Sequence, residues 1–366
     1  MRGRWQKACR LSSVTRVPRA AGFALILASC QGQGDKAPSP SESTASISRP
    51  SSMPVASAAV PSAASLAGSG AAPTSAAGGA SPTVNADAAT PKAPFAPDPK
   101  RYSWLAGGRD VPTPDATLEA RFPAPPGYTR VKVEPGSFAE WLRSLPMAPE
   151  GTPAKNFSGD VTLAADDDYL AGVIAIDVGV SDLQQSSDVI VRLNAEWLWS
   201  RGEKSSIGYL SATKLSMPLS RWEKGQRLIP NGANVFWAVK TKPAELDYAE
   251  FRKYLDSVFN WANSTSLAPR SVPVPDPTQL LAGDFFLQNQ APHHVAVVLD
   301  VADKPSGERL ALLGQSRNPA ESMHVVRPGK ATAWFSVRPP VPVQTPHSRA
   351  LAWADLRRLP PAEPEK

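Results

Sequence analysis

Thiols are nearly missing from this chain of 366 residues, whose only cysteines are Cys9 and Cys30. Histidine is scarce as well: His293, His294, His324 and His347 are the only four. Together these residues provide no spaced Cys/His ligand set, so no metal site is expected, and no cofactor motif is present. No apolar run is long enough to cross a bilayer as a helix. No internal repeat and no second linker divide the chain.

A lasting excess of positive charge is missing too, although the formal net charge is +6. Arg2, Arg4, Lys7, Arg10, Arg16 and Arg19 precede the short apolar run Gly22-Phe23-Ala24-Leu25-Ile26-Leu27-Ala28-Ser29. A basic start, a short apolar core and small residues before a cut are the marks of an export signal that is removed. Without residues 1–29, Lys plus Arg falls from 39 to 33, against 33 Asp plus Glu. A balance near zero leaves no electrostatic footprint for nucleic acid.

The residues Leu27-Ala28-Ser29-Cys30 resemble the lipobox of bacterial lipoproteins. That resemblance implies that Cys30 becomes the N-terminus and carries acyl chains, while Cys9 leaves with the signal. The partner is then a membrane, reached through lipidated Cys30. In lipoproteins an aspartate after the cysteine marks inner-membrane retention; Gln31 stands there instead. An exported, outer-membrane lipoprotein facing the periplasm or the cell surface is expected. The competing reading is an ordinary cleaved signal with a chance cysteine.

Residues 30–100 are dominated by Ala, Ser, Pro, Gly and Thr up to about Ala93, a composition that cannot bury enough apolar surface to offset its ordering entropy. As a flexible linker it has a reach of ~45 Å by the random-coil estimate. Residues 101–360 are long enough for a single domain, followed by a tail over 361–366.

Within the domain, Ser137 caps a short amphipathic helix through Arg143, and Leu170–Val178 has strand character. Asp182-Leu183-Gln184-Gln185 has capping-box spacing, so a helix is expected from there to about Trp199, with Ile190, Leu193 and Trp197 facing inward. A second helix spans about Tyr248 to Trp261. Strands follow at Gly283–Leu287, Val295–Leu299 and Leu310–Leu313, the last two joined as a hairpin by Asp303-Lys304-Pro305-Ser306-Gly307. Strands that follow helices point to an α+β domain with an antiparallel sheet.

Folding the hairpin about its turn puts Gln315 opposite Ala296 and diagonal to His294, ~7–8 Å away between backbones. Ser186 lies near the expected start of the first long helix, where unpaired amides and the dipole stabilise an oxyanion. The order Ser186, His294, Gln315 resembles the papain-like fold, in particular NlpC-type cell-wall peptidases, in which a cysteine starts a helix and a Gly-Asp strand precedes the histidine strand. Gly283-Asp284-Phe285-Phe286 and His294-Val295-Ala296-Val297-Val298 carry the later elements.

A wider resemblance, from about Arg121 to Leu359, is to an uncharacterised bacterial family described only as a domain of unknown function. It rests on Arg121-Phe122-Pro123, Pro126-Gly127-Tyr128 and the stretches 137–145, 182–198, 251–259, 283–300 and 315–324. The family pattern has cysteine after Asp-Leu-Gln-Gln, and this chain has Ser186. By this resemblance the nucleophile is Ser186, the base His294 and the orienting residue Gln315, with the thiol lost. A serine must give up its proton during attack, whereas a thiol is held as thiolate beforehand. A binding or scaffold module for peptidoglycan or another envelope component is therefore expected; the alternative is a serine-dependent amidase or esterase.

The other motifs have plainer readings. Asp166-Asp167-Asp168 is a solvated turn. Trp197, Trp199, Trp222, Trp237 and Trp261 fit a core better than a sugar platform. Arg192 and Glu196 form an i,i+4 pair that supports the helix. Asp284 acts as a loop clamp, and His293 points away from His294.

Overall fold

The computed structural model describes residues 95–106, 111–243, 245–346 and 348–361. The export signal, Cys9, Cys30, nearly all of the linker, His347 and all of the tail but its first residue lie outside the described residues. Among the described residues no helix is long and apolar enough to cross a membrane.

Helix α1 (Phe138–Arg143) begins where Ser137 Oγ accepts the Glu140 N–H at 3.2 Å, an N-cap bond that satisfies one orphan amide. Helix α2 (Asp188–Ser200) and helix α3 (Tyr248–Phe259) lie on the same side of the sheet. Asp247 caps α3 through the Glu250 N–H, and Trp199 of α2 stacks on Phe251 of α3 with ring centroids 4.4 Å apart.

The main sheet is antiparallel throughout. Its strands in chain order are β1 (Thr129–Arg130), β2 (Leu170–Val173), β3 (Val272–Pro273), β4 (Phe285–Gln288), β5 (His294–Asp303), β6 (Arg309–Gln315), β7 (His324–Val326), β8 (Phe335–Val337) and β9 (Leu356–Arg358). The spatial order is β3-β9-β4-β5-β6-β7-β2, with β1 added to β5 and β8 to β6. The fold is α+β. The strand expected over Leu170–Val178 stops at Val173; Ile174 makes an isolated bridge to Met147, and Asp177 turns into an ion network.

Strand β5 is buried along nine of its ten residues because both sheet faces are covered, which fits its near-continuous Val and Leu run. On one face Val295, Val297 and Leu299 pack against the helices with Ile190, Leu193 and Tyr254. On the other, Ala296 and Val298 meet Leu313, Leu351 and Trp353. A bulge between Val298 and Asp300 breaks the alternation. Fully buried Asp300 there holds Arg130 of β1 and Arg143 of α1, the latter at 2.6 Å. Gly314 pairs with Val297, next to this bulge, and a Cβ there would lie 2.7 Å from Leu299 Cδ1, so no larger residue fits without a shift.

Candidate functional site

The chain does not enter α2 at Asp182 as its capping-box spacing suggests; the helix begins at Asp188. Long-range partners decide this. Asp182 Oδ1 accepts the Ala320 N–H at 2.7 Å and the Gln185 side-chain amide at 3.0 Å, so it caps no helix amide. The Gln185 N–H goes to Asp188 Oδ2 at 3.2 Å, and the Ser186 N–H to Asn318 Oδ1 at 3.2 Å. With both amides held by side chains, the segment stays a turn that delivers Ser186 to the start of β5.

There the structure brings together all three residues singled out from the sequence. Ser186 Oγ lies 3.1 Å from His294 Nδ1, and His294 Nε2 lies 2.9 Å from Gln315 Oε1. The register that permits this pairs Gln288 with His294, Ala296 with Gln315, and Gln315 with His324. Ser186 Oγ also accepts the Val295 N–H at 3.0 Å.

A fourth residue, His324, completes a one-way chain of hydrogen bonds. The Ser322 carbonyl can only accept, so the His324 Nδ1 at 2.9 Å carries a proton. His324 Nε2 then accepts from the Gln315 amide nitrogen at 3.4 Å, which turns Gln315 Oε1 toward His294. His294 Nε2 donates to that oxygen, its Nδ1 is bare, and the Ser186 hydroxyl donates to it. Burial pushes the His294 pKa down, against the opposing Gln315 bond, which suits a neutral ring.

This order of contacts differs from the serine-protease template, in which Nε2 faces the serine and Nδ1 the orienting carboxylate. The roles of acceptor and orienter are kept while the two nitrogens exchange. Access is narrow: Ser186 is 5% exposed, His294 8% and Gln315 1%.

Beneath the turn lies a charged cluster. Arg192 of α2 binds Asp177 Oδ1 at 2.8 Å, Glu196 Oε1 at 2.7 Å and Gln184 Oε1 at 2.7 Å. Tyr248 donates to Glu196 at 2.7 Å, and Arg252 reaches Asp177 Oδ2 at 3.3 Å and Asp256 at 3.2 Å. Asp177 and Gln184 flank the segment leading to Ser186, so this cluster anchors it. Asp188, at the first position of α2, is buried with Oδ1 lacking a partner, and burial raises its carboxyl pKa well above the usual range.

The remaining candidates fall elsewhere. His293 is exposed and pairs with Ser264 Oγ at 3.1 Å. Asp284 accepts the Leu281 N–H and pairs with Arg358 at 2.6 Å, as a loop clamp does. Asp168 is an exposed partner of Lys330. Trp222 packs on Tyr254, and Trp197, Trp199, Trp237 and Trp261 pack half-buried against the same core, Trp197 also lining a small cavity with Trp141. Among the described residues no group of three or more His, Cys, Asp or Glu is placed to hold a metal ion. Sequence reasoning missed His324 and Asn318. His324 ends the stretch 315–324 that carries the family resemblance, and the β6–β7 ladder pairs it with Gln315. Nothing local to Asn318 marks it, since its partner lies 132 residues away.

A family model described as Domain of unknown function (4846) matches residues 118–358. No curated protein and no solved structure matches the sequence.

Proposed function

We propose that this chain, which belongs to the family described as Domain of unknown function (4846), is an exported envelope lipoprotein whose papain-like domain binds a ligand without hydrolysing it. The anchor is Cys30, the membrane the outer one, and the ligand peptidoglycan or another envelope component. The reading takes Ser186 as the replacement of a family cysteine, with His294 and Gln315 kept as its former partners.

One observation carries the absence of hydrolysis. The Ser186 N–H, the amide nearest to an oxyanion formed at Ser186, is held by Asn318 Oδ1 at 3.2 Å. Loss of a single such donor costs hydrolases ~10²–10³ in rate. The hydroxyl itself is doubly engaged, accepting from Val295 and donating to His294. A serine in that position has no thiolate to fall back on. Sedimentation of the protein with purified peptidoglycan sacculi tests the binding claim. Wild type and Ser186→Ala are expected to sediment alike, and a protein that stays in the supernatant overturns it.

A second reading is favoured by the 3.1 Å Ser186–His294 contact and the ordered tautomers: a serine-dependent amidase or esterase. It requires the 316–321 loop to withdraw Asn318 so that the Ser186 amide is freed. In that case Asn318→Ala raises turnover of activated acyl esters, and His294→Ala abolishes it.

A further inference from the structure

A cavity of about 440 Å³ opens beside α2, and its wall includes none of Ser186, His294 and Gln315. From α2 it takes Val191, Asn194 and Leu198, which recur at the spacing of one helix stripe. The short strand Gly208–Leu210, the turn Ala268–Arg270 and Leu359 close it. Its volume falls in the ~300–1,000 Å³ range of small-molecule sites.

Charge in this wall is of one sign. Arg270 is the single charged residue among the described lining, which holds no Asp, Glu or Lys. Elsewhere on the helices and the sheet, Arg192, Arg252 and Arg358 are each met by a carboxylate. Arg270 is half-buried, yet its hydrogen-bond partner among the described residues is only the Gly208 carbonyl, 2.9 Å from Nη2. Its Nε and Nη1 are left unpaired there and are not sealed from solvent. A guanidinium keeps its charge on burial and makes its stronger hydrogen bonds to anions, so an anion that reaches Arg270 has an open partner.

The neighbouring polar groups divide into spent and free ones. Ser266 Oγ exchanges hydrogen bonds with the Asn263 backbone, and Ser271 Oγ links the Leu267 carbonyl to Arg357. The Tyr209 hydroxyl lies 3.0 Å from Asn194 Oδ1, and the Asn194 amide nitrogen makes no hydrogen bond among the described residues. Burial pushes the Tyr209 pKa up, and the nearby charge of Arg270 opposes that shift. Gly208 and Tyr209 are consecutive, so the guanidinium and the carboxamide are anchored on one short strand. Most of the remaining wall is apolar, with Val191, Leu198, Leu210 and Leu267. One cation matches one negative charge, and the apolar wall suits a body attached to it.

We propose that this cavity binds a singly charged carboxylate with an apolar body, its head on Arg270 beside Asn194. The site goes beyond the binding role proposed above and depends neither on that role nor on Ser186. The carboxylate has two sources, the end of an alkyl chain and the C-terminus of a peptide.

Calorimetric titration of the full-length protein separates them, with hexanoate and N-acetyl-L-leucine as probes, each beside its primary amide, and inorganic phosphate as an anion without an apolar body. Saturable binding of one or both carboxylates is expected, about tenfold or more tighter than the matching amide and than phosphate. The tighter carboxylate names the source. Arg270→Gln, which retains a donor for the Gly208 carbonyl, should weaken it about tenfold or more. Asn194→Asp still accepts from the Tyr209 hydroxyl but puts a competing carboxylate in the wall, and should weaken it comparably. Ser186→Ala should leave the affinity unchanged. Binding of neither carboxylate, equal binding of the amides or of phosphate, or affinities indifferent to both wall variants overturns the proposal; should Arg270→Gln fail to fold, Asn194→Asp decides. Glu363 and Glu365 follow the wall residue Pro361 in the sequence, so the double variant Glu363→Gln, Glu365→Gln is titrated as well. An unchanged affinity there supports an external ligand, and binding that emerges only in that variant overturns the proposal in favour of the chain's own carboxylates.

Discussion

Ser186 and Arg192 stand six residues apart on one stretch of chain, and their burial is met by different chemistry. Around Arg192 the partners are full charges, Asp177 and Glu196, with Arg252 on the other oxygen of Asp177, tied further by Tyr248 and Gln184. Around Ser186 a neutral imidazole and a carboxamide meet the hydroxyl, and His324 closes the chain at the Ser322 carbonyl. Ions that leave water must be matched by other ions, so the first cluster holds its geometry rigidly. Each bond of the second is a neutral one whose direction is set by its neighbour, so it depends on every member facing the right way. The charged cluster locates the turn; the neutral chain decides what Ser186 can do.

The sharpest break of this contrast is Arg192→Leu, which leaves buried Glu196 without a cation, with only the Tyr248 hydroxyl, and Asp177 with Arg252 alone. A loss of ~3–5 kcal/mol in denaturant unfolding is expected, and a loss below 1 kcal/mol would deny the cluster its anchoring role. Next is Gln315→Leu, which leaves His294 Nε2 and His324 Nε2 without their shared partner. Its expected cost is ~1–3 kcal/mol, smaller because no charge is stranded.

Acid and base probe the same contrast through the two shifted groups. An unfolded histidine titrates near ~6.5, and burial holds His294 below that value. As pH falls below about 6.5 the unfolded chain takes up the proton first, so stability present above that pH is lost on acidification. Asp188 runs the other way, because its folded carboxyl titrates well above the unfolded value of ~3.9. Its contribution is fully present below that value and is lost as pH rises through the folded one. Unfolding measured across pH 4–8 should therefore show Asp188→Asn gaining stability toward neutral pH, and a variant without that gain contradicts the assignment. The smallest expected effect is that of Ser186→Ala, ~1 kcal/mol, since the serine links a neutral amide and a neutral ring.

Local chemistry made part of the fold legible in advance. Ser137 at the start of α1 and the hairpin turn at Asp303–Gly307 act over a few residues, while the Ala296–Gln315 register also needs the bulge, since the turn pairs Asp303 with Arg309 and an unbroken ladder would bring Ala296 opposite Ser316. From that register the closeness of His294 and Gln315 could be reasoned. What failed was also physical in origin. The Asp182 capping pattern is genuine in sequence, but the carboxylate is claimed by Ala320, 138 residues on. The bulge at Asp300 answers to Arg143, 157 residues away, and no local signal announces it. Likewise the partners of Arg192 other than Glu196 come from loops and from α3, so only the i,i+4 pair was visible.

The central claim is that Ser186 is a satisfied hydroxyl in a binding domain and not a nucleophile. The most direct measurement is the intact mass of the full-length protein after incubation with a fluorophosphonate, beside a control serine hydrolase that reacts under the same conditions. An unchanged mass for wild type is predicted. An adduct on Ser186 that disappears in His294→Ala would contradict it.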